Sequence, residues 1–543
     1  TDLKLNRIRK IEKNRGRASL MVDAFINDLD WKYMVNEFDQ MEKITKADIV
    51  SFAKQHYQEN YVVSYKKMGK AQRHSVPKPA ITELELDRES KSEFLTEFEK
   101  MKSARVEPIF MNFEKQIIRA EVNGFPFSYI KNTTNELFSL SYIFDMGSDH
   151  SKELALAVSY LPYLGTEKYS AEDLKKQFFK LGLDFKVNTG RDKMYITLSG
   201  LEKNVAEGVK LFEHILHNVT PDKKAYKDLV LSILKKRTDA KLDKGTILRS
   251  GLVNIAKYGK ENPFTDKLSE KKLQSIHTEN LCKEIKSLTQ YPHRIFYYGE
   301  KDSKDIISML NETHTVNITL EASEKKIYKE KEFNSPRVYF TPYDMQQVEL
   351  YLLAPDRKFN AEYMAASMLF NEYFGAGLSS IVFQEIREKK ALAYAAYSWY
   401  SNAKSVDENN YVYGYIGTQH DKLKDAVATM FEILNEMPTA ELQFAGAKQA
   451  VLKKIETSRK TGSSVYWEYE NAQKRGLDYD INETIYEIVS EFDMNQLNAF
   501  FEEHIKGKNF SICVIGNKNT IDKNVLKSMG EVKIVSLEEA FGF

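Results

Sequence analysis

Three segments of the sequence share one pattern: a short helix, a turn, and an apolar strand followed by a glycine and polar residues. The glycines that follow the strands, Gly69, Gly299 and Gly516, lie 230 and 217 residues apart. A period of this length is far too long for a solenoid repeat, so it indicates tandem duplication of whole domains. The three segments are residues 44–70, 276–302 and 492–519.

A second pair of segments supports the duplication. Residues 196–237 and 413–455 both read as a strand, a polar turn, an amphipathic helix, a proline turn at Pro221 or Pro438, and a second helix. This alternation, with hairpin strands such as FSLSYIFDMG, predicts an α+β fold in which helices cover one sheet per domain. In the threefold pattern a polar residue precedes each helix and is expected to cap it. These residues are Thr45, Thr278 and Asp493.

The length of 543 residues exceeds what one hydrophobic core can hold and predicts about three or four domains. We expect residues 70–107, which are broken by prolines and then strongly charged, to be a partly helical linker. The chain begins at Thr1 on a helical pattern without an initiator Met, which we interpret as a cut-down or mature chain that begins inside a domain. The predicted layout is the tail of one domain at 1–69, the linker at 70–107, and complete domains at 108–325 and 326–543.

Composition excludes several classes of function. The net charge of +1 gives no argument for binding nucleic acid or an anionic membrane. No apolar run approaches the roughly 20 residues that span a bilayer; the nearest is at 154–165. The two cysteines, Cys282 and Cys513, provide neither a metal cluster nor a disulfide framework, and we expect buried free thiols.

One stretch carries candidate chemistry, residues 371–397. Its glycines, Gly375 and Gly377, permit unusual backbone conformations and close approach of another chain. Ser379 or Ser380 is then placed to cap a helix that carries Arg387 and Tyr394, seven residues apart.

If that helix persists, Arg387 and Tyr394 project from nearly the same face, about 10 Å apart along the axis. A guanidinium and a phenol can both donate hydrogen bonds to a peptide carbonyl oxygen. By spacing alone, a solvated arginine and a tyrosine that packs its ring are the more common outcome.

The same stretch resembles the last domain of the pitrilysin/insulinase family of zinc peptidases, which carry an inverted zinc motif. In that family a helix of the form R-x-K-x-x-L-x-Y follows a glycine-containing turn. Here Arg387 and Tyr394 occupy the Arg and Tyr positions, and Gly375 and Gly377 lie in the turn. The resemblance implies that Arg387 and Tyr394 contact the substrate and transition state, and that the glycines bind substrate.

The resemblance also implies an architecture. It predicts tandem mitochondrial-processing-peptidase-like, or LuxS-like, metallohydrolase domains, each a mostly antiparallel sheet covered by helices. Four such domains form two halves that close around a peptide. Residues 1–69 would then be the tail of a peptidase-like domain, 108–325 a degenerate peptidase-like domain, and 326–543 the C-terminal peptidase-like domain with the Arg/Tyr pair.

The zinc motif of the family, H-x-x-E-H, is absent from the matching position. The segment GTEKYS at 165–170 resembles the sequence that follows the motif, and counting back from it places Leu156 and Tyr160 where histidines would stand and Ser159 where the glutamate would stand. None of these can bind zinc or act as a base. Residues 221–237, where a glutamate ligand would follow, contain no Glu.

His214 and His217 are a local pair at i,i+3, but no third ligand is evident from the sequence. We therefore expect this chain to bind no zinc, and zinc to belong to the full-length protein.

Two functions follow from these observations. In the first, the chain is the non-catalytic C-terminal half of a zinc-dependent metalloendopeptidase. It would enclose a peptide or unfolded polypeptide, held by strand addition to a sheet edge, and would be inactive without a missing N-terminal half. In the second, it is an inactive peptide-binding scaffold, or the partner subunit of a separately encoded zinc-bearing peptidase. The resemblance alone suggests an exported, for example periplasmic, location.

Overall fold

The computed structural model describes residues 2–69, 92–101, 106–316 and 320–543. They divide into two compact units, one formed by Asn6–Val106 and the other by Thr1–Leu5 with Glu107–Phe543. The first unit is helical, and much of the predicted linker, residues 70–91 and 102–105, lies outside the described residues. The helices up to residue 106 are α1 Asp2–Ile11, α2 Asn14–Ile26, α3 Trp31–Met41, α4 Lys46–His56 and α5 Glu93–Lys100.

The first of two mixed sheets has the strand order β1-β2-β6-β3-β5-β4. Strands β2 and β6 pair in parallel and every other pair is antiparallel. Burial alternates strictly along β5, as expected for a strand with one face in a core. The strands are β1 Ile118–Val122, β2 Phe125–Lys131, β3 Leu137–Phe144, β4 Leu183–Thr189, β5 Met194–Leu201 and β6 His293–Gly299.

The second sheet has the order β12-β7-β11-β8-β10-β9. Here β7 pairs in parallel with β11 and β12, and the remaining pairs are antiparallel. The strands are β7 Arg337–Pro342, β8 Gln347–Lys358, β9 Ala393–Ser401, β10 Asn409–Gln419, β11 Ser511–Gly516 and β12 Glu531–Ile534.

The two sheets share one topology, which confirms the predicted α+β duplication. The run β2-β6-β3-β5-β4 corresponds strand for strand to β7-β11-β8-β10-β9. Only the outermost strand differs, because β1 forms a hairpin with β2 whereas β12 comes from the end of the chain. We call the parts of the chain that carry β1–β6 and β7–β12 the first and second repeats. The exact domain boundaries given above stay a prediction.

Helices cover both sheets. No helix among the described residues has the length and apolar content needed to cross a bilayer.

Three π-helices interrupt the regular helices of the described residues, at Ile247–Leu252, Asn371–Gly375 and Phe383–Lys389. Short 3₁₀ turns lie at Leu161–Tyr163, Glu202–Asn204, Leu288–Gln290 and His420–Lys422. The helices of the first repeat are α6 Phe113–Gln116, α7 Lys152–Tyr160, α8 Ala171–Leu181, α9 Val205–Asn218, α10 Lys223–Ala240, α11 Lys244–Thr246, α12 Val253–Tyr258, α13 Glu270–Ser275, α14 Thr278–Lys286 and α15 Ser303–Thr313. Those of the second are α16 Tyr363–Phe370, α17 Leu423–Asn435, α18 Glu441–Thr457, α19 Ser464–Lys474, α20 Ile481–Glu491, α21 Met494–His504, α22 Lys523–Ser528 and α23 Leu537–Phe541.

Each repeat covers the outer face of the other repeat's sheet. From the second repeat, α19 packs on the first sheet, where Tyr466 stacks on Phe296 with ring centroids 3.9 Å apart. From the first repeat, the π-helix Ile247–Leu252 and α12 pack on the second sheet against Tyr351 and Cys513. Both cysteines are free and buried, as predicted.

Two of the three predicted helix caps are present. Thr45 and Asp493 are the N-caps of α4 and α21, and each forms a capping box. The prediction for Thr278 is wrong, because α14 begins at this residue and the N-cap is His277, which makes no side-chain cap bond. The predicted strand within residues 44–70 does not form, whereas its counterparts are β6 and β11.

Candidate functional site

The predicted glycine turn is a point of close approach between the π-helix Asn371–Gly375 and the edge strand β9. A Cβ atom at Gly375 would lie 1.7 Å from the carbonyl oxygen of Ser398. Asn371 fixes the same approach, because its Oδ1 accepts a hydrogen bond from the Tyr400 amide at 2.6 Å and its Nδ2 donates to the Tyr400 carbonyl at 3.0 Å. Gly375 therefore serves close packing, one of the two roles expected of it.

Gly377 lies in an exposed loop with a φ of +100°, where a side chain would be strained. The neighbouring Leu378 exposes 73% of its surface. Of the two candidate caps, Ser380 is the one used: its Oγ accepts from the Phe383 amide at 3.4 Å and donates to the Gly377 carbonyl at 2.9 Å. The loop thus presents an apolar side chain next to a capped helical turn.

A single helix carrying both Arg387 and Tyr394 was expected, and this is wrong. Arg387 lies in the π-helix Phe383–Lys389, but Tyr394 is the second residue of β9. The chain reverses at Ala391, whose φ is +46°. Thr418 holds this turn by donating to the Leu392 carbonyl at 2.5 Å, and pairing with β10 then draws the following residues into the sheet.

The two side chains nevertheless meet. The guanidinium carbon of Arg387 lies 5.6 Å from the ring centroid of Tyr394 and 4.8 Å from that of Phe383. The Arg387 side chain is 42% exposed and Tyr394 is 75% exposed. Within the described residues the Tyr394 hydroxyl has no hydrogen-bond partner. The pair is therefore a solvent-facing cation–π contact whose donors can reach a ligand.

The first repeat contains the same geometry with different chemistry. Phe178 at the end of α8 stacks on Phe185 in the edge strand β4, with centroids 5.8 Å apart. Gly182, with a φ of +64°, occupies the turn, four residues after the first ring and three before the second, as Ala391 does between Arg387 and Tyr394. The aromatic pair lines a cavity of about 290 Å³ together with leucines. In both repeats, two side chains seven residues apart are therefore brought together. The first lies at the end of a helix, the second lies in the edge strand, and a residue in the left-handed conformation forms the turn between them.

Edge strand β9 directs alternate backbone groups away from β10. The amide and carbonyl of Tyr400 point toward Asn371, whose side chain bonds both. Ala396, four residues earlier, is buried in the core of the second repeat, with 4% of its surface exposed.

The positions that would hold zinc in the first repeat are occupied by packed side chains. Leu156 and Tyr160 are buried, and the Tyr160 hydroxyl donates to the Asp222 carbonyl at 2.5 Å. Ser159 donates to the Ala155 carbonyl at 2.8 Å and lies 3.1 Å from the Thr189 hydroxyl. These residues have no chemistry with which to hold a metal ion.

His214 and His217 do not converge on a common point. The Nε2 atom of His214 bonds the Thr166 hydroxyl at 3.0 Å, and that of His217 bonds Thr289 at 3.2 Å. Among the described residues there is no group of three or more His, Cys, Asp or Glu side chains suited to a metal ion.

Comparison with known proteins finds one matching family model and several relatives named as zinc proteases. The model of the peptidase M16 inactive domain matches residues 295–451. An uncharacterized zinc protease of Rickettsia bellii is 23% identical over 309 residues, which cover 56% of this chain and 71% of that protein. The uncharacterized zinc protease YmxG of Bacillus subtilis is 22% identical over 404 residues, covering 71% of this chain and 92% of YmxG.

Solved structures share the fold. A peptidase M16 inactive domain from Pseudomonas fluorescens has a TM-score of 0.57 at 16% identity and covers 75% of this chain and 99% of its own. The periplasmic protease PqqL from Escherichia coli has a TM-score of 0.60 at 12% identity over 89% of this chain. The ferredoxin protease FusC, solved in complex with Arabidopsis ferredoxin, has a TM-score of 0.59 at 11% identity over 88% of this chain.

The chain spans about half the length of these two proteases, 52% of PqqL and 51% of FusC. The duplicated fold, the match to the inactive-domain model and the relatives named as zinc proteases agree with one another. Residues 295–451 match the peptidase M16 inactive domain, and the chain is similar to proteins named as zinc proteases and to solved M16-like structures.

Proposed function

We propose that the chain is the non-catalytic part of a zinc-dependent metalloendopeptidase, in which it holds a peptide or unfolded polypeptide near a zinc site carried elsewhere. The observation that carries the proposal is the exposed contact between Arg387 and Tyr394 beside the glycine loop. Both side chains stand at the rim of the second sheet with their donors in solvent. A pair serving only the fold would be expected to bury at least the ring.

The proposed role of Arg387 and Tyr394 is to donate hydrogen bonds to the peptide carbonyl that is attacked. Such donors help catalysis when they bind the developing oxyanion more tightly than the ground-state carbonyl. The contact with the Tyr394 ring limits the freedom of the guanidinium before substrate arrives, which reduces the entropy lost on binding. Gly375 allows the neighbouring loop to approach β9, and Gly377 adopts the positive φ that the loop requires.

The main chain of the substrate is proposed to bind by strand addition to a sheet edge. Strand addition bonds main chain to main chain, so it tolerates many sequences. Leu378 and Tyr394, both exposed, would then contact side chains of the bound peptide. This arrangement suits a broad substrate class rather than one folded partner.

Zinc is proposed to come from outside this chain. The packed residues Leu156, Ser159 and Tyr160 offer no ligand, and the described residues contain no suitable cluster. The chain alone is therefore expected to hydrolyse no peptide.

The test compares Arg387→Ala and Tyr394→Phe in the zinc-loaded full enzyme or complex. Loss of one oxyanion donor lowers kcat by about 10²–10³ in other enzymes, and we expect a decrease of this order for Arg387→Ala at unchanged zinc content. Matched controls are Arg337→Ala and Tyr479→Phe, two exposed residues of the second repeat outside the site. Unaltered kinetics in both site variants would remove the assignment.

An inactive peptide-binding scaffold, or a partner subunit, is the second candidate. It is favoured by the replacement of all three motif residues in the first repeat. Fluorescence anisotropy with a labelled casein peptide separates the two functions. A scaffold binds the peptide through Arg387 and Tyr394 but hydrolyses nothing when a zinc-bearing half is added, whereas the peptidase part gives turnover only in the assembled enzyme.

A further inference from the structure

Strand β9 carries a second arginine–tyrosine contact, three residues after Tyr394. Nη2 of Arg249 donates to the hydroxyl of Tyr397 at 3.0 Å, and the guanidinium carbon lies 5.5 Å from the ring centroid of Tyr415. Arg249 belongs to the π-helix Ile247–Leu252 of the first repeat, whereas Arg387 belongs to a π-helix of the second. Each repeat thus places one arginine on a tyrosine of the same edge strand.

A β-bulge separates the two contacts and exposes the first. The ladder between β9 and β10 shifts at Tyr394, which has no partner on β10. By alternation alone, Tyr394 would share the core face of β9 with Ala396, which is buried. Because of the bulge, Tyr394 is instead 75% exposed.

The other face of β9 is aromatic and only partly covered. Tyr397 stacks on Tyr415 with ring centroids 4.8 Å apart, and Trp399 stacks on Tyr413 with centroids 5.0 Å apart. The π-helix that carries Arg249 packs on this side of the second sheet, but Tyr397 and Trp399 stay half-buried at its border. We call Arg249, Tyr397 and Trp399 the aromatic shelf.

The first repeat shows that the fold does not require such a shelf. Its edge strand β4 corresponds to β9, and the rings of Phe185 and Tyr394 occupy matching positions. Counting three residues onward from each ring, Asn188 stands where Tyr397 stands, and it is exposed. Lys186, on the same face of β4, is exposed as well. An edge strand of this fold is therefore formed with polar residues here, so folding alone does not account for the shelf.

Arg249 and Tyr397 keep donors that no described residue accepts. Arg249 is exposed, and no carboxylate among the described residues forms an ion pair with it. Glu349, whose charge acts on Tyr397, is paired with Lys244, and Asp243 caps a helix. Burial raises the pKa of Tyr397 above its usual value of 10.0, so its hydroxyl keeps a proton to donate while it accepts from Arg249. A guanidinium with free N–H groups beside a phenol suits a carboxylate.

We propose that the aromatic shelf binds an acidic side chain of the substrate polypeptide, about three residues from the bond that is cleaved. Three residues of an extended strand span about 10 Å, and an extended peptide advances by the same amount. A peptide whose carbonyl is held at Tyr394 therefore brings its third residue onward to Tyr397. There Arg249 and the Tyr397 hydroxyl bind the carboxylate, and the Trp399 ring packs on the methylene groups.

Two separate observations carry this proposal. The distance from the cleaved bond rests on the proposed function, because Arg387 and Tyr394 define the position of the reacting carbonyl. The preference for a carboxylate rests only on the free donors of Arg249 and Tyr397.

Fluorescence anisotropy of the full chain tests the preference without catalysis. The probes are two labelled decapeptides of Ala, Gly and Leu that differ in one central residue, Glu or Gln. We expect the Glu peptide to bind about tenfold more tightly, since a hydrogen bond to a charged group is the stronger one. The difference should shrink in 1 M NaCl.

Variants of Arg249 assign the preference to the shelf. Arg249→Gln should make the two affinities equal, Arg249→Lys should retain a preference for Glu, and Arg249→Glu should favour a third peptide with Lys at the same place. The matched control is Arg337→Gln, an exposed arginine of the second repeat, which should keep the full preference. Because Arg249 is exposed, thermal unfolding of its variants should match the wild type.

Kinetics of the zinc-loaded full enzyme or complex locate the shelf along the substrate. In a series of fluorogenic peptides the Glu is moved one residue at a time, and mass spectrometry maps the cleaved bond. We expect kcat/KM to peak with Glu about three residues from that bond, mainly through a lower KM, and Arg249→Gln to remove the peak. Arg387→Ala should instead lower kcat for every peptide and keep the ratio between the Glu and Gln peptides.

Three outcomes would overturn the inference. The first is equal binding of the Glu and Gln peptides to the wild-type chain, or binding of neither. The second is a preference for Glu that persists in Arg249→Gln. The third is a kinetic preference that does not depend on the distance between Glu and the cleaved bond. Unaltered turnover in Arg387→Ala would count against the proposed function alone, since the anisotropy measurement does not involve Arg387.

Discussion

The Nζ atom of Lys193 lies 2.8 Å from Oε2 of Glu470, and this contact joins the residue that precedes β5 in the first repeat to α19 of the second repeat. Both side chains are about nine-tenths buried. Arg294 reaches the same carboxylate oxygen at 3.0 Å, and Asp145 lies 3.1 Å from both cations. Glu470 is therefore the buried anion shared by two cations at the junction of the repeats.

We predict that Glu470→Ala destabilises the chain by about 3–5 kcal/mol, because it leaves Lys193 and Arg294 with insufficient negative charge in a buried site. Urea unfolding followed by circular dichroism measures the change. Glu468→Ala on the same helix is the control. Its ion pair with Lys460 has an N–O distance of 2.6 Å but is partly exposed to solvent, so a loss below about 1 kcal/mol is expected. Similar losses for the two variants would contradict the assignment.

Acid stability should depend on Asp356. Although burial raises the pKa of this carboxyl, hydrogen bonds from His504, Lys508 and Tyr400 hold the pKa well below its usual value of 3.8. A group whose pKa is lower in the folded chain contributes stability above its unfolded pKa and loses it as pH falls. We therefore expect part of the free energy of unfolding, of the order of 2 kcal/mol, to disappear between about pH 5 and pH 2.

Asp356→Asn should lower the free energy of unfolding at pH 7. It should also make that free energy depend less on pH below about pH 5. Urea titrations at a series of pH values measure both effects. An unchanged slope below pH 5 would show that Asp356 titrates normally in the folded chain.

Gly375 should not tolerate alanine. The new methyl group would overlap the Ser398 carbonyl, a backbone atom that β9 holds in place, so we expect Gly375→Ala to cost about 2–3 kcal/mol. Gly446 in α18 is the matched control, since a Cβ there meets no atom within 4 Å. Gly446→Ala should stabilise the chain by about 0.5–1 kcal/mol, and equal effects in thermal unfolding would refute the close-approach argument.

Ala391→Gly should stabilise the turn between Arg387 and Tyr394. A residue with a side chain in the left-handed region costs about 1–2 kcal/mol, and glycine removes that cost at the expense of some entropy in the unfolded chain. We expect a net gain of about 0.5–1 kcal/mol. Ala395→Gly in β9 should instead lose a similar amount, because an extended residue gains nothing from glycine.

The duplication was predictable because each helix–strand unit carries its own caps, apolar period and terminal glycine. The sequence predicted that Arg387 and Tyr394 lie close together, but it did not predict that one lies in a helix and the other in a strand. Lys, Ala and Leu favour helix, so the run before Tyr394 reads as helical, and only pairing with β10 shows that it is a strand. A left-handed alanine at 391 leaves no signal in the sequence, whereas Gly182 in the first repeat does.

Residues 61–68 show a second limit of prediction from sequence, because the strand expected there does not form. Its local signals resemble those of β11, but a central strand is stabilised by two neighbours, and the described residues provide neither. At α14 the sequence prediction fails by one residue. His277 rather than Thr278 occupies the N-cap position, without a side-chain cap bond, and a one-residue shift of a helix start leaves no clear signal in the sequence.

The exchange of covering helices between the repeats determines how the chain responds to being cut. Helix α19 of the second repeat packs on the first sheet, and the π-helix Ile247–Leu252 of the first repeat packs on the second sheet. Separation of the two repeats would therefore expose an apolar face of both sheets. A protease that cleaves the exposed connection around residues 320–330 would thus yield two fragments that remain associated. Limited proteolysis followed by gel filtration under native conditions should therefore show both fragments eluting together.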